Sequence, residues 1–314
     1  MRNTLTFFAI IIFSISANAQ FRFIERANNN DNPDGDQPIK RAETTEEVGE
    51  RSSLKLNNLG VKEGRVNKDF IAAIEYFKQA VAVEPDCFTC KYNMGRAYIA
   101  LERYSIAQDI FENLVKENPK SADSLSSLGE VLSLRDDDKG ALPLLKKSLK
   151  IDPNDSITLN NYGIALHKTG NFKKAVAVFE KAIKRKPDLA EAHNYLGLTF
   201  YQLGKFKNAL KSLRLADSFE PNVPEVQNNL GVVLGRIGKK KEAHKHHLEA
   251  VRLNPKFSYA VYNLGLSYLG LKKRDEAHKQ LILLDNLDPV LARSLRKVLW
   301  GKFVVDASTE QVKS

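Results

Sequence analysis

The chain has 314 residues, of which 43% are hydrophobic and 27% charged, with a formal net charge of +10 and a mean hydropathy of -0.36. This composition supplies enough apolar residues for a core, so disorder throughout the chain is excluded. After the first twenty residues no apolar run reaches the roughly 18 positions that a membrane-spanning helix requires, which excludes an integral membrane protein. Two cysteines cannot form the dense disulfide network of a small secreted scaffold.

The N-terminal segment predicts export. Arg2 precedes an apolar run from Leu5 to Ile15, and the small residues Ala17 and Ala19 follow it. This is the pattern of a secretory signal peptide over residues 1–19, and it predicts cleavage after Ala19 and a periplasmic or secreted mature protein. Residues 20–53 are rich in Asn, Asp, Gly, Pro and Glu, and we expect them to form a flexible leader.

A period of 34 residues organises the rest of the chain. Prolines, alanines and glycines each recur at this spacing. Because proline ends a helix and small residues let two helices approach closely, each unit is predicted to be a helix-turn-helix. We number each unit so that the recurring proline is position 32, which places the alanine at position 20 and the glycine at position 8. The prolines are Pro85, Pro119, Pro153, Pro187, Pro221, Pro255 and Pro289. Six complete units begin at Phe88, Ala122, Ser156, Ala190, Pro224 and Ser258, and another begins near Leu54.

Three positions depart from the repeated pattern, and we expect local irregularity in the repeat that contains Pro143. Gly60 comes one residue earlier than the register requires, which implies one extra residue before Ala73. His247 replaces the large apolar residue that is expected at position 24 to pack beside the glycine. Pro143 is at position 22 of its unit, and we expect it to shorten or kink the second helix unless it lies in the first turn, because proline lacks an N–H group.

The segment from Asn160 to Asp188, NNYGIALHKTGNFKKAVAVFEKAIKRKPD, resembles the tetratricopeptide repeat (TPR) family, and the resemblance covers residues 54–291. It implies an all-α fold in which seven helix-turn-helix repeats build an α-solenoid, a right-handed superhelix. Residues 292–305 predict a capping helix whose apolar side, including Leu295, Leu299 and Trp300, covers the last repeat. Residues 306–314 are expected to be a frayed tail.

The first helix of each unit is predicted to present one face to a ligand. On a helical wheel, positions 5, 6, 9 and 13 share a side, whereas positions 7, 8 and 11 carry the packing residues. Position 6 is asparagine in most units, and a carboxamide can pair with the N–H and C=O groups of an extended peptide. The same asparagines could instead bond within the scaffold, and both interpretations stay open. The candidate groove residues are Asn58, Asn93, Asn161, Asn229, Asn263, Asn160, Asn194, Asn228, Ile157, Ile164, Leu198, Tyr259 and Tyr262. Acidic residues on the same side favour a partner with some basic side chains; they are Asp123, Glu130, Glu191 and Glu225.

The positive charge lies in the C-terminal half of the chain. Residues 1–155 hold 21 basic and 24 acidic side chains, whereas residues 156–314 hold 27 and 14. Most of the excess falls in the turns and second helices, outside the predicted groove. This pattern is typical of a solvated outer surface, and an anionic partner such as lipid headgroups or polysaccharide is the alternative. Nucleic acid is disfavoured, because no regularly placed stacking aromatics accompany the lysines.

Cys87 and Cys90 lie three residues apart, and export predicts that they form a local disulfide. Redox activity is the alternative, although no thioredoxin-like βαβ pattern accompanies the pair. His244 and His247 could share a metal ion, but no third ligand completes a site, so no metal and no cofactor is predicted.

No phosphate-binding loop, nucleophile elbow or catalytic triad occurs in the sequence. We therefore predict a non-catalytic scaffold that binds an extended polypeptide or a partner protein in its groove. The alternatives are an envelope- or polyanion-associated protein that uses the basic outer surface, and a thiol redox protein.

Overall fold

The computed structural model describes residues 45–300, which form α-helices and no strand. The all-α helical-repeat fold predicted from the sequence is confirmed. The predicted signal peptide, most of the leader and the tail lie outside the described residues. The described chain divides into two compact units, residues 45–169 and residues 170–300.

The N-terminal unit contains seven α-helices. They are α1 (Thr45–Lys62), α2 (Phe70–Val83), α3 (Phe88–Ala100), α4 (Tyr104–Glu117), α5 (Ala122–Leu134), α6 (Asp138–Ile151) and α7 (Ser156–Lys168). Helix α1 begins at Thr45, so helical structure extends into residues 45–53, which the sequence assigned to the leader.

The C-terminal unit contains eight α-helices. They are α8 (Phe172–Arg185), α9 (Ala190–Gln202), α10 (Phe206–Phe219), α11 (Pro224–Arg236), α12 (Lys240–Leu253), α13 (Ser258–Gly270), α14 (Arg274–Leu287) and α15 (Pro289–Trp300). The first helices α3, α5, α7, α9, α11 and α13 begin at the six residues where the 34-residue units begin. No helix within residues 45–300 is long and apolar enough to cross a membrane.

The glycine at position 8 allows the two helices of a repeat to touch. A β-carbon on Gly95 would lie 2.7 Å from the ring of Phe111, and one on Gly197 would lie 2.7 Å from Leu213. Phe111 and Leu213 occupy position 24 and are fully buried. The repeated glycine therefore makes room for the large residue sixteen positions later, as the sequence pattern indicates.

A left-handed backbone recurs at one position of every repeat, and this was not predicted from the sequence. Position 15, in the turn between the two helices of a repeat, has a positive φ angle in every repeat. The residues are Lys68, Glu102, Asp136, Gly170, Gly204, Gly238 and Lys272. Three glycines spaced 34 residues apart were the signal available in the sequence.

The extra residue of the first repeat is accommodated in its turn. Gly60 fills the role of position 8, because a β-carbon there would lie 2.6 Å from Phe77. Lys68, with φ of 57°, is already in register with the later repeats. The residue is therefore inserted between these two positions, where Glu63–Asn67 forms a π-helical turn.

Pro143 does not shorten its helix. Helix α6 has 14 residues, as have the other second helices, and it includes Pro143 in its interior. The expectation of a shortened helix was wrong. Helix α6 lacks one backbone hydrogen bond at the exposed Pro143, because proline has no N–H group. Its N-terminus is capped by Asp137, whose carboxylate accepts a hydrogen bond from the Gly140 N–H at 2.9 Å.

Helix α15 covers the last repeat and begins at Pro289, before the predicted start at residue 292. Leu295 and Leu299 are buried, and Trp300 is partly buried. A β-carbon on Gly265 would lie 2.6 Å from Leu295, so the cap packs directly on α13. Residues 301–305 of the predicted cap lie outside the described part of the chain.

Candidate binding face of the first helices

The predicted face of the first helices is more buried than the helical wheel suggested. Position 6 is nearly inaccessible at Asn93, Asn229 and Asn263, and Asn161 retains 8% exposure. Ile164, Leu198 and Tyr262 are also buried, as are the position-5 residues Asn160, Asn194 and Asn228. Position 2 is partly exposed in all six complete repeats, including Ile157 and Tyr259, and Asn58 in the first repeat is exposed.

The buried polar residues of this face join successive first helices. In each of four pairs, the residue at position 6 donates a side-chain hydrogen bond to position 5, or its equivalent, in the preceding repeat. The bonds run from Asn93 to Asn57 (3.0 Å), Ser127 to Tyr92 (3.1 Å), Asn229 to Asn194 (3.1 Å) and Asn263 to Asn228 (2.8 Å). The framework interpretation of the asparagine row therefore has a geometric basis in both units. We name these contacts the position 6 to position 5 bonds.

A buried ion pair lies on the same face of the N-terminal unit. The Arg96 guanidinium donates to the Glu130 carboxylate at 2.5 Å, and both residues occupy position 9. The Asn161 amide donates to the same carboxylate at 3.4 Å. Burial raises the pKa of the nearby Tyr92 phenol, which accepts the hydrogen bond from Ser127. Glu130, predicted to face a ligand, is thus engaged by the scaffold.

A small pocket lies on the first-helix face of the C-terminal unit. Glu191 lies in the first turn of α9 and Glu225 in the first turn of α11, and Glu220 directly follows α10 as its C-cap. The lining residues are Ala190, Glu191, Asn194, Tyr195, Glu220, Val223, Glu225 and Val226. The pocket therefore combines three carboxyl groups with an apolar wall.

Sequence reasoning found only part of this pocket. Glu191, Glu225 and Asn194 were predicted to belong to the groove, whereas Glu220 and Val223 were not. These two residues lie where the chain leaves α10 and enters α11, and a wheel drawn for one helix gives no information about such connections.

The predicted histidine cluster does not converge on one point. The Nδ1 atom of His244 lies 2.9 Å from the Ser267 hydroxyl, and that of His246 lies 2.7 Å from the Gln227 Oε1 atom. His247 points inward, into the space left by Gly231. No group of three or more metal-ligating side chains occurs in residues 45–300.

His247 occupies the position-24 site as a buried imidazole. Neither of its ring nitrogens has a hydrogen-bond partner among the described residues. Burial, followed by the charges of His246 and His244, lowers the pKa of His247 to about 3. His247 therefore acts as a neutral packing group near neutral pH.

The sulfur atoms of Cys87 and Cys90 lie at disulfide spacing, 1.99 Å apart. The pair stands at the start of α3, where Cys87 Sγ also accepts from the Cys90 N–H at 3.2 Å. Both residues are buried, and the hydroxyl of Ser53 lies 3.6 Å from Cys90 Sγ. This placement links the turn before α3 to helix α1.

The fold is that of an all-α repeat protein in which pairs of helices expose one side of each helix to solvent. Models of the tetratricopeptide repeat match residues 67–130, 144–177, 190–223 and 225–254, and a TPR repeat model matches residues 163–204. Together these matches cover more than half of the chain. The chain belongs to the tetratricopeptide repeat family.

Solved structures of low sequence identity share the fold. PilF of Pseudomonas aeruginosa is 18% identical over 68% of this chain and 97% of its own, with a TM-score of 0.58. PilW, described as a type IV pilus biogenesis factor, is 19% identical over 66% of this chain and 96% of its own, with a TM-score of 0.58. A chain of the APC/C hetero-tetramer Cut9-Hcn1 is 12% identical over 80% of this chain and 53% of its own, with a TM-score of 0.67. No curated protein sequence matches the chain.

Proposed function

We propose that this TPR protein is an interaction scaffold whose first-helix face binds an extended polypeptide carrying basic side chains. The observation that carries the proposal is the pocket beside α9 and α11, where Glu191, Glu220 and Glu225 stand next to Val223 and Val226. A lysine or arginine side chain has an apolar stem and a charged end, so it can use both parts of this lining.

One of the position 6 to position 5 bonds joins the two first helices that line this pocket. Asn194 lines the pocket on α9 and accepts the hydrogen bond of Asn229 on α11. We assign Asn229 a positioning role, because its side chain is buried and its amide already donates to a neighbour. The same assignment extends to Asn93 and Asn263. Of the candidates with exposed surface, Tyr259 lies in the same unit as the pocket and is proposed to contact the polypeptide directly.

Peptide display tests this proposal, because it surveys many candidate partner sequences at once. We expect selection on the wild-type chain to enrich extended sequences that contain Lys or Arg beside apolar residues. A Glu191→Gln, Glu225→Gln variant should bind the selected peptides at least about tenfold more weakly, because a charge-assisted hydrogen bond is stronger than a hydrogen bond between neutral groups. Fluorescence anisotropy of a labelled peptide measures this difference.

The matched control removes the same charge elsewhere on the C-terminal unit. Glu180 and Asp188 are exposed and do not line the pocket. A Glu180→Gln, Asp188→Asn variant should bind like the wild type. Equal weakening in both variants, or selected peptides without basic residues, would contradict the proposal.

We also propose that the protein acts outside the cytoplasm with Cys87 and Cys90 joined as a structural disulfide. The signal-peptide pattern of residues 1–19 supports export, and the burial of both cysteines favours a structural role over redox activity. Mass spectrometry of the exported protein, alkylated before and after reduction, checks both points. A mature N-terminus other than Gln20, or two free thiols, would argue against them.

A further inference from the structure

The outward side of the second helices in the C-terminal unit carries a dense set of exposed basic residues. Positions 18, 22, 25 and 29 of a helix lie within about 60° of one another on a wheel, and position 26 flanks them. We call these positions of α10, α12 and α14 the outer face. Its basic residues are Lys207, Lys211, Arg214, Lys241, Lys245, Arg252 and Lys279, and all are exposed.

Most of this charge is not neutralised locally. Arg252 pairs with Glu249, and Lys279 pairs with Glu276. The remaining five, from Lys207 to Lys245, form no ion pair within residues 45–300. Asp275, at position 18 of α14, is the one acidic residue at positions 18, 22, 25 and 29, so the outer face keeps a net positive charge.

Basic residues on both sides of α12 affect titratable groups on that helix. The pKa of the Glu242 carboxyl on α12 is lowered first by its hydrogen bond to Lys239, and also by the charge of Arg214 on α10. The pKa of His244 on α12 is lowered first by burial and then by the charge of Lys273, which precedes α14. Positive charge from α10 and from the turn before α14 thus reaches titratable groups on α12.

Aliphatic side chains share the outer face with these charges. Leu248 and Ile282 occupy position 25 and are 46% and 54% exposed. Leu215 and Leu283 occupy position 26, where they are 36% and 48% exposed. Exposed aliphatic groups gain nothing from contact with a sulfated or phosphorylated polymer, but they gain free energy on entering the boundary between lipid headgroups and acyl chains.

We propose that the outer face of α10, α12 and α14 binds the surface of an anionic lipid bilayer. The lysines and Arg214 meet the headgroups, and the aliphatic residues enter the interfacial layer between them. This surface differs from the first-helix pocket, so the proposal is independent of polypeptide binding. A linear polyanion is the competing occupant, and charge alone would serve it equally well.

Vesicle co-sedimentation provides the test, with the chain starting at Gln20 because the apolar segment 5–15 would itself partition into lipid. We expect binding to phosphatidylcholine vesicles containing about 30% phosphatidylglycerol, and none to phosphatidylcholine alone. A variant with Lys207, Lys211, Lys241 and Lys245 all replaced by Gln should bind more than about 100-fold more weakly, since each lysine near the surface contributes about a fivefold factor.

A charge-matched control separates the outer face from overall charge. Lys116, Lys120, Lys146 and Lys147 are exposed in the N-terminal unit, and their replacement by Gln changes the net charge equally. This variant should retain vesicle binding. Circular dichroism melting of each variant confirms that it is folded.

Aliphatic variants distinguish the bilayer from a linear polyanion. A Leu248→Ser, Ile282→Ser variant should bind anionic vesicles about tenfold more weakly and bind polyphosphate as the wild type does. The proposal is overturned if wild type does not bind anionic vesicles, if the control loses as much binding as the lysine variant, or if the aliphatic variant binds vesicles unchanged.

Discussion

The Asn263 side-chain amide donates to the Asn228 carboxamide oxygen at 2.8 Å, although Asn228 lies 35 residues earlier in the chain. Both side chains are fully buried. The bond joins α13 to α11, so it connects two first helices that belong to successive repeats. Such a contact stabilises the spacing between repeats rather than the fold of either one.

Replacing Asn263 by Ala should destabilise the C-terminal unit by about 1–3 kcal/mol, because a buried oxygen of Asn228 loses its donor. Urea denaturation followed by circular dichroism measures the change. Asn208, exposed on α10, provides the control, and its replacement by Ala should cost less than about 0.5 kcal/mol. Equal effects at both positions would remove the structural role assigned to these bonds.

Replacing His247 by Leu should raise the free energy of unfolding near neutral pH and flatten its pH dependence. The pKa of His247 is about 3 in the folded protein, below the usual value near 6.5, so the unfolded chain binds the extra proton between these values. Above pH 6.5 the imidazole is neutral in both states, so proton binding at His247 does not reduce the free energy of unfolding. As the pH falls from 6.5 towards 3, the unfolded chain takes up the proton and the free energy of unfolding decreases.

Chemical denaturation at several pH values checks the His247 prediction. Between pH 6 and pH 4, each drop of one pH unit should raise the equilibrium constant for unfolding of the wild type by a factor about ten times larger than that of the Leu variant. His167, whose pKa is lowered by burial to about 4, should leave a residual slope in both proteins. Parallel pH profiles for wild type and the His247→Leu variant would show the assignment to be wrong.

Two glycines in the C-terminal unit should respond to alanine in opposite directions. A β-carbon at Gly197 would lie 2.7 Å from Leu213, so Gly197→Ala should cost about 1–3 kcal/mol. A β-carbon at Gly235 would meet Ala243 at 3.8 Å, an ordinary contact, so Gly235→Ala should stabilise the helix by about 0.5–1 kcal/mol. Thermal or urea denaturation distinguishes these signs, and a loss of stability of similar size at both sites would refute the packing argument.

Replacing Lys272 by glycine should stabilise the protein. The φ angle of Lys272 is 62°, which is left-handed, and position 15 is glycine at Gly204 and Gly238. Lys272→Gly should therefore raise the free energy of unfolding by about 1 kcal/mol, while Gly238→Ala should lower it by a similar amount. Denaturation of both variants gives the measurement. The idea fails if Lys272→Gly is destabilising.

Much of the architecture could be predicted from residues whose effects are local. Six predicted starts, including Ala190 and Pro224, are the first residues of helices. The shortening predicted at Pro143 was wrong because an exposed proline in an otherwise well-packed helix removes one hydrogen bond without ending the helix. The turn residue Lys68 was not recognised, since a left-handed backbone leaves no clear signal unless the residue is glycine.

The candidate site was less predictable than the fold. The wheel identified the side of the first helices that carries Asn229 and Glu225, but it suggested that position 6 was accessible. In the structure Asn229 is buried against Asn194, and the partly exposed residues stand at position 2. Glu220 joins the pocket from a connection between helices, which no single-helix pattern describes.

The sequence by itself determined the 34-residue period, the alternation of two helices and the distribution of charge along the chain. These follow from the missing N–H of proline, the small volume of glycine and alanine, and the count of ionised groups, which act the same way in every repeat. Only the tertiary structure decided which polar side chains are buried and which remain available to a partner. The reason is physical: a helix sets the direction of a side chain about its own axis, whereas the distance to the neighbouring helix depends on how both pack.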